Sequence, residues 1–274
     1  MSKGRTPRKP VSPWVERLAR FGYATKGSVY IMVGILATLA AAGAGGRTTD
    51  SQGVFEELRG KPYGRVLLVA VTVGLIGYVI WRFTEAVFDA EGKGNDLKGI
   101  AIRSGYALSG LIHAGLAWSA ARFVMGSGGG GSGNREQRNS TAQVLEMPLG
   151  PLVVALVGVG FICFGLYQIY KGFKTKFRKR IEVGKMTSAE ETLATRSGQI
   201  GFAARGIVFN IVGYFLIRAA LYHNPGEVRG LDGALAALAE QPLGKTLLGV
   251  VAAGLIAYGC YMLIEAKYHR IRAG

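Results

Sequence analysis

Gly22-Tyr23-Ala24-Thr25-Lys26-Gly27 recurs as Gly105-Tyr106-Ala107-Leu108-Ser109-Gly110 and again as Gly201-Phe202-Ala203-Ala204-Arg205-Gly206. Each copy opens a long apolar block. A second apolar block follows each one, opened by Pro62-Tyr63-Gly64, Pro148-Leu149-Gly150 and Pro242-Leu243-Gly244. From first glycine to proline the spacing is 40, 43 and 41 residues. Twelve residues beyond each proline lies a glycine (Gly74, Gly160, Gly254), sixteen beyond an aromatic (Tyr78, Phe164, Tyr258), and nineteen beyond another (Trp81, Tyr167, Tyr261). Agreement at this many offsets means that one unit is used three times.

The blocks predict spans at Ala24–Ala42, Gly64–Thr84, Gly105–Met125, Leu149–Tyr170, Gly201–Tyr222 and Leu243–Ile264. The shortest, rising about 1.5 Å per residue, nearly crosses a hydrocarbon core of about 30 Å. The expected fold is therefore all-α and polytopic: six transmembrane helices forming three parallel tandem hairpins with pseudo-threefold symmetry. Two spans per unit return each unit to the same side, which makes the repeats parallel rather than inverted. Short amphipathic stretches precede the prolines at 54–58, 142–145 and 234–238, and predict a membrane-surface helix in each hairpin.

Composition fits this pattern. The chain of 274 residues is 49% hydrophobic and 18% charged, which disfavours a typical soluble enzyme, yet its net charge is +16. With the N-terminus inside, 23 of the 33 basic residues fall on the inner side. Basic residues concentrate in cytoplasmic segments, so both termini are expected in the cytoplasm of a bacterial inner-membrane protein. The chain then divides into a basic cytoplasmic tail (1–21), hairpin one (22–89), a cytoplasmic linker (90–104), hairpin two (105–170), a basic cytoplasmic loop (171–197) and hairpin three (198–270). Residues 126–133 read as a flexible Gly/Ser tether outside.

The triple pattern resembles a bacterial membrane family defined as domain of unknown function 1206, in which a pair of transmembrane helices occurs three times. The resemblance runs from about Gly22 to Lys267. It implies fold and location, and no activity. The second copy departs most: Ser109 stands where the others have Lys26 and Arg205, and Pro151 follows its Pro-Leu-Gly.

Candidate site residues cluster at the inner boundary. Lys26 and Glu85 in hairpin one match Arg205 and Glu265 in hairpin three, and predict a cation–carboxylate pair in each. Hairpin two has Ser109 and the lone Lys171 there. Such charges serve either as ion pairs that lower the cost of charge in lipid or as an asymmetric mouth to a pathway. The basic run Lys171, Lys174, Lys176, Arg178, Lys179 and Arg180, with Phe173 and Phe177 interleaved, predicts a surface helix extending the fourth span and facing anionic lipid. No nucleic-acid motif accompanies it.

Gly27, Gly34, Gly74, Gly110, Gly160, Gly206, Gly213 and Gly254 suit close helix packing. Trp81, Tyr167 and Tyr261 suit an interfacial aromatic belt. Cys163 and Cys260 read as buried free thiols. The three histidines are too dispersed to share a metal, and no catalytic or cofactor-binding set stands out. The expected role is structural or regulatory and non-enzymatic; the alternative is a small-solute or ion pathway along the threefold axis.

Overall fold

The structure, a computed structural model, describes residues 12–127 and 133–269. Most of the expected Gly/Ser tether and the first half of the N-terminal tail lie outside the described residues. Among the described residues there are nine α-helices and no strand: α1 (Pro13–Ala41), α2 (Ser51–Arg59), α3 (Gly64–Phe88), α4 (Leu97–Val124), α5 (Gly133–Leu145), α6 (Gly150–Phe173), α7 (Ser188–Leu221), α8 (Leu231–Ala239) and α9 (Gly244–Tyr268).

Five of these, α1, α3, α6, α7 and α9, are long and apolar enough to cross a membrane. The six-span expectation meets five because α4, although 28 residues long, interrupts its apolar run with Ser109, His113 and Ser119. The outward faces invert the pattern of a water-soluble protein: Val66, Val69, Val73 and Ile76 on α3 and Leu152, Val153, Leu156 and Val159 on α6 are all exposed. Contiguous apolar surface on this scale marks contact with lipid, and the architecture is that of a multi-pass membrane protein.

The short helices α2, α5 and α8 precede α3, α6 and α9, as the amphipathic stretches predict. α2 is capped by Asp50, whose side chain accepts from the Gln52 and Gly53 amides. Its buried face carries Val54, Phe55 and Leu58. The Pro-x-Gly landmark is the turn out of each short helix. A Cβ on Gly64, Gly150 or Gly244 would collide with the carbonyl of Leu58, Val144 or Ala239 respectively. Only glycine lets the long helix start that close to the short one.

The helices pair across hairpins. The most extensive contacts are α6 with α7, α1 with α9, and α3 with α4. In each pair the first long helix of one hairpin packs on the second long helix of another. Gly27 and Gly34 bring α1 onto α9, where added Cβ atoms would lie 2.8 Å from the Gly259 and Ala252 carbonyl oxygens. Gly206 and Gly213 do the same for α7 on α6, at 2.6 Å from the Gly165 and Gly158 carbonyl oxygens. Gly110 faces only the Phe83 ring, at 3.2 Å, so α3 and α4 meet through a side chain instead.

Within hairpins the pattern breaks. α1 packs on α3 and α7 on α9, but α4 and α6 make almost no contact. Much of the interior is one apolar cluster joining Val29, Val33 and Ala37 of α1, Ala117 and Ala120 of α4, and Val208, Val212 and Leu216 of α7.

Candidate functional site

The polar residues of the interior gather at one end of the bundle, the end beside the 174–187 loop, termed its inner end. Lys26 Nζ donates to the Tyr78 hydroxyl at 3.0 Å, and Arg205 Nη1 donates to the Tyr258 hydroxyl at 2.9 Å. These are equivalent positions in hairpins one and three, and each cation also lies over its phenol ring, at 4.6 and 5.0 Å. The expected Lys26–Glu85 and Arg205–Glu265 pairs do not form. Glu85 pairs instead with Arg82, one helical turn earlier, at 2.5 Å. Glu265 faces His269 Nδ1 at 3.5 Å, one turn later. The cause is depth: the phenols, seven residues nearer the start of α3 and α9 than the carboxylates, reach the cations first.

Hairpin two lacks both halves of this pair, with Ser109 for the cation and Phe164 for the phenol. Its inner helix contact is missing as well. Gly22 and Gly201 lie so close to Tyr78 and Tyr258 that a Cβ would strike the backbone, whereas a Cβ on Gly105 would meet nothing within 4 Å. Gly74 receives Thr25 and Gly254 receives Ala204, but Gly160 faces open space. The residue matching Thr25 and Ala204 is Leu108, too large for that notch. Leu108 is 58% exposed, whereas Thr25 is 7% and Ala204 is 6% exposed.

The aromatics follow the same division. Tyr78 and Trp81 are 1% and 2% exposed, and Tyr258 and Tyr261 are 3% and 0%. Their counterparts Phe164 and Tyr167 are 44% and 50% exposed. The expected aromatic belt is corrected: Trp81 and Tyr261 are core residues, and only Tyr167 sits at the surface.

The basic run is not a surface helix. α6 stops at Phe173, Thr175 adopts a left-handed conformation, and Lys176–Arg180 forms a 3-10 turn. The turn folds back under the bundle. Phe173 stays exposed while Phe177 is fully buried against Phe202 and Tyr261. Ile181 then bridges to His269, and the Glu182 amide donates to the Tyr268 carbonyl at 2.9 Å. This loop covers the inner end of the bundle.

Its charges divide accordingly. Arg178 pairs with Glu191. Arg180 reaches the Tyr106 hydroxyl on α4 at 2.9 Å and Glu91 at 3.6 Å. Lys176 lies over the Tyr170 ring, and Lys174 is exposed. The side chain of Lys179 lies outside the described residues. Lys171 lies 4.1 Å from the centre of the Phe202 ring.

One group was not foreseen from sequence. Glu85, Glu91 and His269 offer ligand atoms all within 4.8 Å of one another. Burial pushes the Glu91 carboxyl up, but Arg180, Lys93 and its hydrogen bonds to Glu85 and Tyr106 outweigh it and hold it well below the usual carboxylate range. Burial pushes the His269 imidazole down to about 4, against the opposing pull of Glu265 and Glu91. The donor set suits a divalent ion. Arg82 and Arg180 already neutralise both carboxylates, however, so a divalent ion would compete with two guanidinium groups. The arrangement reads as a buried ion network closing the inner floor. The signal in the sequence is Arg82 three residues before Glu85, a helical i,i+3 spacing.

His113 Nδ1–H donates to the Ser109 carbonyl at 2.7 Å, and the ring stacks obliquely on Tyr78. Cys163 is exposed and Cys260 only partly covered, which corrects their reading as buried thiols.

Comparison with known proteins agrees with this threefold construction. A family model described as Domain of Unknown Function (DUF1206) matches residues 21–89, 104–175 and 200–269, one match per hairpin. The chain is 41% identical over 264 residues to "Uncharacterized protein YxxB" of Bacillus subtilis (strain 168), covering 96% of this chain and 94% of that protein. No solved structure matches. The repeated hairpins, their landmarks and these matches together make the chain a member of the DUF1206 family.

Proposed function

We propose that this protein is a six-span inner-membrane protein with pseudo-threefold hairpins, both termini cytoplasmic, whose role is structural or regulatory rather than catalytic. The observation that carries this reading is the two-zone interior. The outer zone is a packed apolar cluster, and the ionic groups lie at one end, beneath the folded basic loop. A bundle built this way holds its helices and presents a basic cytoplasmic face to anionic lipid. α4 acts as the sixth span, since it packs along α3 and contributes Ala117 and Ala120 to the same core.

Single-cysteine labelling tests this on a background with Cys163 and Cys260 replaced by serine. Asn95→Cys labels only from the cytoplasmic side and Ser127→Cys only from outside. Labelling of both from one side would remove α4 as a span and with it the parallel hairpins.

A small-solute or ion pathway is the second reading, favoured by the gap between α4 and α6. Flux through liposomes containing the Lys171→Glu variant tests it. A change in flux with unchanged folding supports a pathway; loss of folding alone counts against it.

A further inference from the structure

The departures of hairpin two combine into one feature. Positions buried in the other hairpins are exposed in this one: Leu108 and Ile112 are 58% and 54% exposed, whereas Val29 and Val208, which match Ile112, are 6% and 1%. Across from them on α6, Phe164 and Tyr167 are also exposed. α4 and α6 therefore bound a slot that opens the interior sideways, toward lipid. Its inner end is closed by the tie between Arg180 and the Tyr106 hydroxyl.

The charges behind the slot are unbalanced. Arg205 lies 4.7 Å from the Phe209 ring and 6.0 Å from the Phe164 ring, which places it behind the α6 wall. Its Nε is buried without a hydrogen-bond partner. Lys171 lies seven residues further along α6 than Phe164, over the Phe202 ring. Lys26 completes the group, and Arg205 bears on both lysines as a repelling charge. Among the described residues none of the three forms an ion pair. Of the buried carboxylates, Glu85 is engaged with Arg82, while Glu265 faces the His269 imidazole and bears on Lys171 as an attracting charge, leaving one carboxylate against three cations. A phenol or a ring face repays only part of the cost of burying a cation. The repeat sharpens this: at the position of those two carboxylates, hairpin two supplies Lys171, another cation.

We propose that the slot between α4 and α6 holds one anionic phospholipid, its phosphate paired with Arg205 and Lys171 and an acyl chain lying between the two helices. Charge and shape select this occupant. The walls are apolar and open to the bilayer, as an acyl chain requires. Lys171 lies in the last turn of α6, where a headgroup would reach it, and Arg205 lies behind it toward the interior. A second copy of the chain would bring apolar helix faces to the slot and no anion to the cations. The inference rests on the membrane-embedded reading and adds a specific ligand site to it.

The test uses the full chain reconstituted in phosphatidylcholine vesicles with or without phosphatidylglycerol, then extracted in mild detergent for native mass spectrometry. The expected result is one retained phosphatidylglycerol and no retained phosphatidylcholine. Arg205→Gln with Lys171→Gln lowers retention by about tenfold or more, the scale of one lost charge-assisted hydrogen bond. Gly160→Phe provides an independent arm. Nothing lies within 4 Å of a Cβ at that position, so the ring enters without a clash at its Cβ; a variant that retains the wild-type circular dichroism should fill the slot and lose the lipid.

Equal retention of both lipids, undiminished retention by a folded Gly160→Phe variant, or extraction as a lipid-free dimer would each overturn the proposal. Cysteine labelling separates the two levels. If α4 spans the membrane and no lipid is held, the site alone fails; if α4 does not span, the underlying reading fails first.

Discussion

Hairpins one and three are closed, and hairpin two is open, although all three start from the same repeat. In the closed hairpins a glycine meets an aromatic backbone, a second glycine receives Thr25 or Ala204, and a cation meets a phenol. In the open one all three contacts are gone together: Leu108 replaces the small residue, Ser109 the cation and Phe164 the phenol. The difference teaches that closure is cooperative. Helix approach within 3 Å of a backbone needs a glycine at the contact, as Gly22 and Gly201 supply against Tyr78 and Tyr258, and the polar pair is reachable only after that approach. Once Leu108 holds the helices apart, a cation at 109 would have no partner and would be costly in an apolar setting.

The largest effect expected from breaking this contrast is at the inner carboxylates. Glu85→Ala leaves Arg82 buried without its ion partner and should cost about 3–5 kcal/mol. The equivalent change in hairpin two, Lys171→Ala, removes a lone charge and should cost less than about 1 kcal/mol. Thermal unfolding of the purified protein in detergent measures both; equal losses would erase the distinction between closed and open hairpins.

The inner floor gives the next effect. His269 titrates near 4 in the folded protein against an ordinary value of about 6.5. The groups that bear on it are Glu265, Glu91, Arg180 and Arg82. Because the folded value is depressed, the unfolded chain binds the extra proton first. Stability is full above about pH 6.5 and falls, by about 3 kcal/mol, as pH drops toward 4. The slope over that window should flatten in His269→Gln. An unchanged slope would show that another group carries the dependence.

Paired glycine substitutions come third. Gly22→Ala places a Cβ 2.6 Å from the Tyr78 amide nitrogen and should cost about 2–3 kcal/mol. Gly105→Ala meets nothing within 4 Å and should stabilise by up to about 1 kcal/mol through helix propensity. Opposite signs in the same unfolding assay are the expected outcome; the same sign would mean that α4 and α6 approach in the membrane as α1 and α3 do.

The smallest energetic change is the most pointed. Leu108→Ala, Ser109→Arg and Phe164→Tyr together give hairpin two the residues of hairpin three. The α4–α6 separation should shrink toward that of α7 and α9, read as a shorter distance between spin labels on the outer ends of the two helices. No shortening would locate the cause of the opening elsewhere, in the α3–α4 pairing through Phe83.

Much of this was legible along the chain. The three hairpins, the Pro-x-Gly turns, the short helices before them and the glycine faces of the first and seventh helices all follow from local rules: length, periodicity and small-residue spacing. The departure of the second copy was also visible, at Ser109. Its consequence was not, because Leu108 is an ordinary apolar residue until Gly160 is seen to need a small partner. The carboxylate pairing was misread for a related reason. Equal register suggests equal depth, but side chains of different reach meet at different levels. The basic run was read as helix by composition, and the left-handed Thr175 turned it under the bundle, burying Phe177.

The sequence by itself determined that the chain repeats one apolar helical unit three times. That is a property of each segment in its solvent and needs no partner to be read. Only the tertiary structure decided which helices touch, which cation meets which phenol, and which hairpin stays open. Each of those is a contact between residues distant in sequence, from Phe83 with Gly110 to Arg20 with Ala266, settled by whether two surfaces fit within a few tenths of an ångström, and no single segment carries that information.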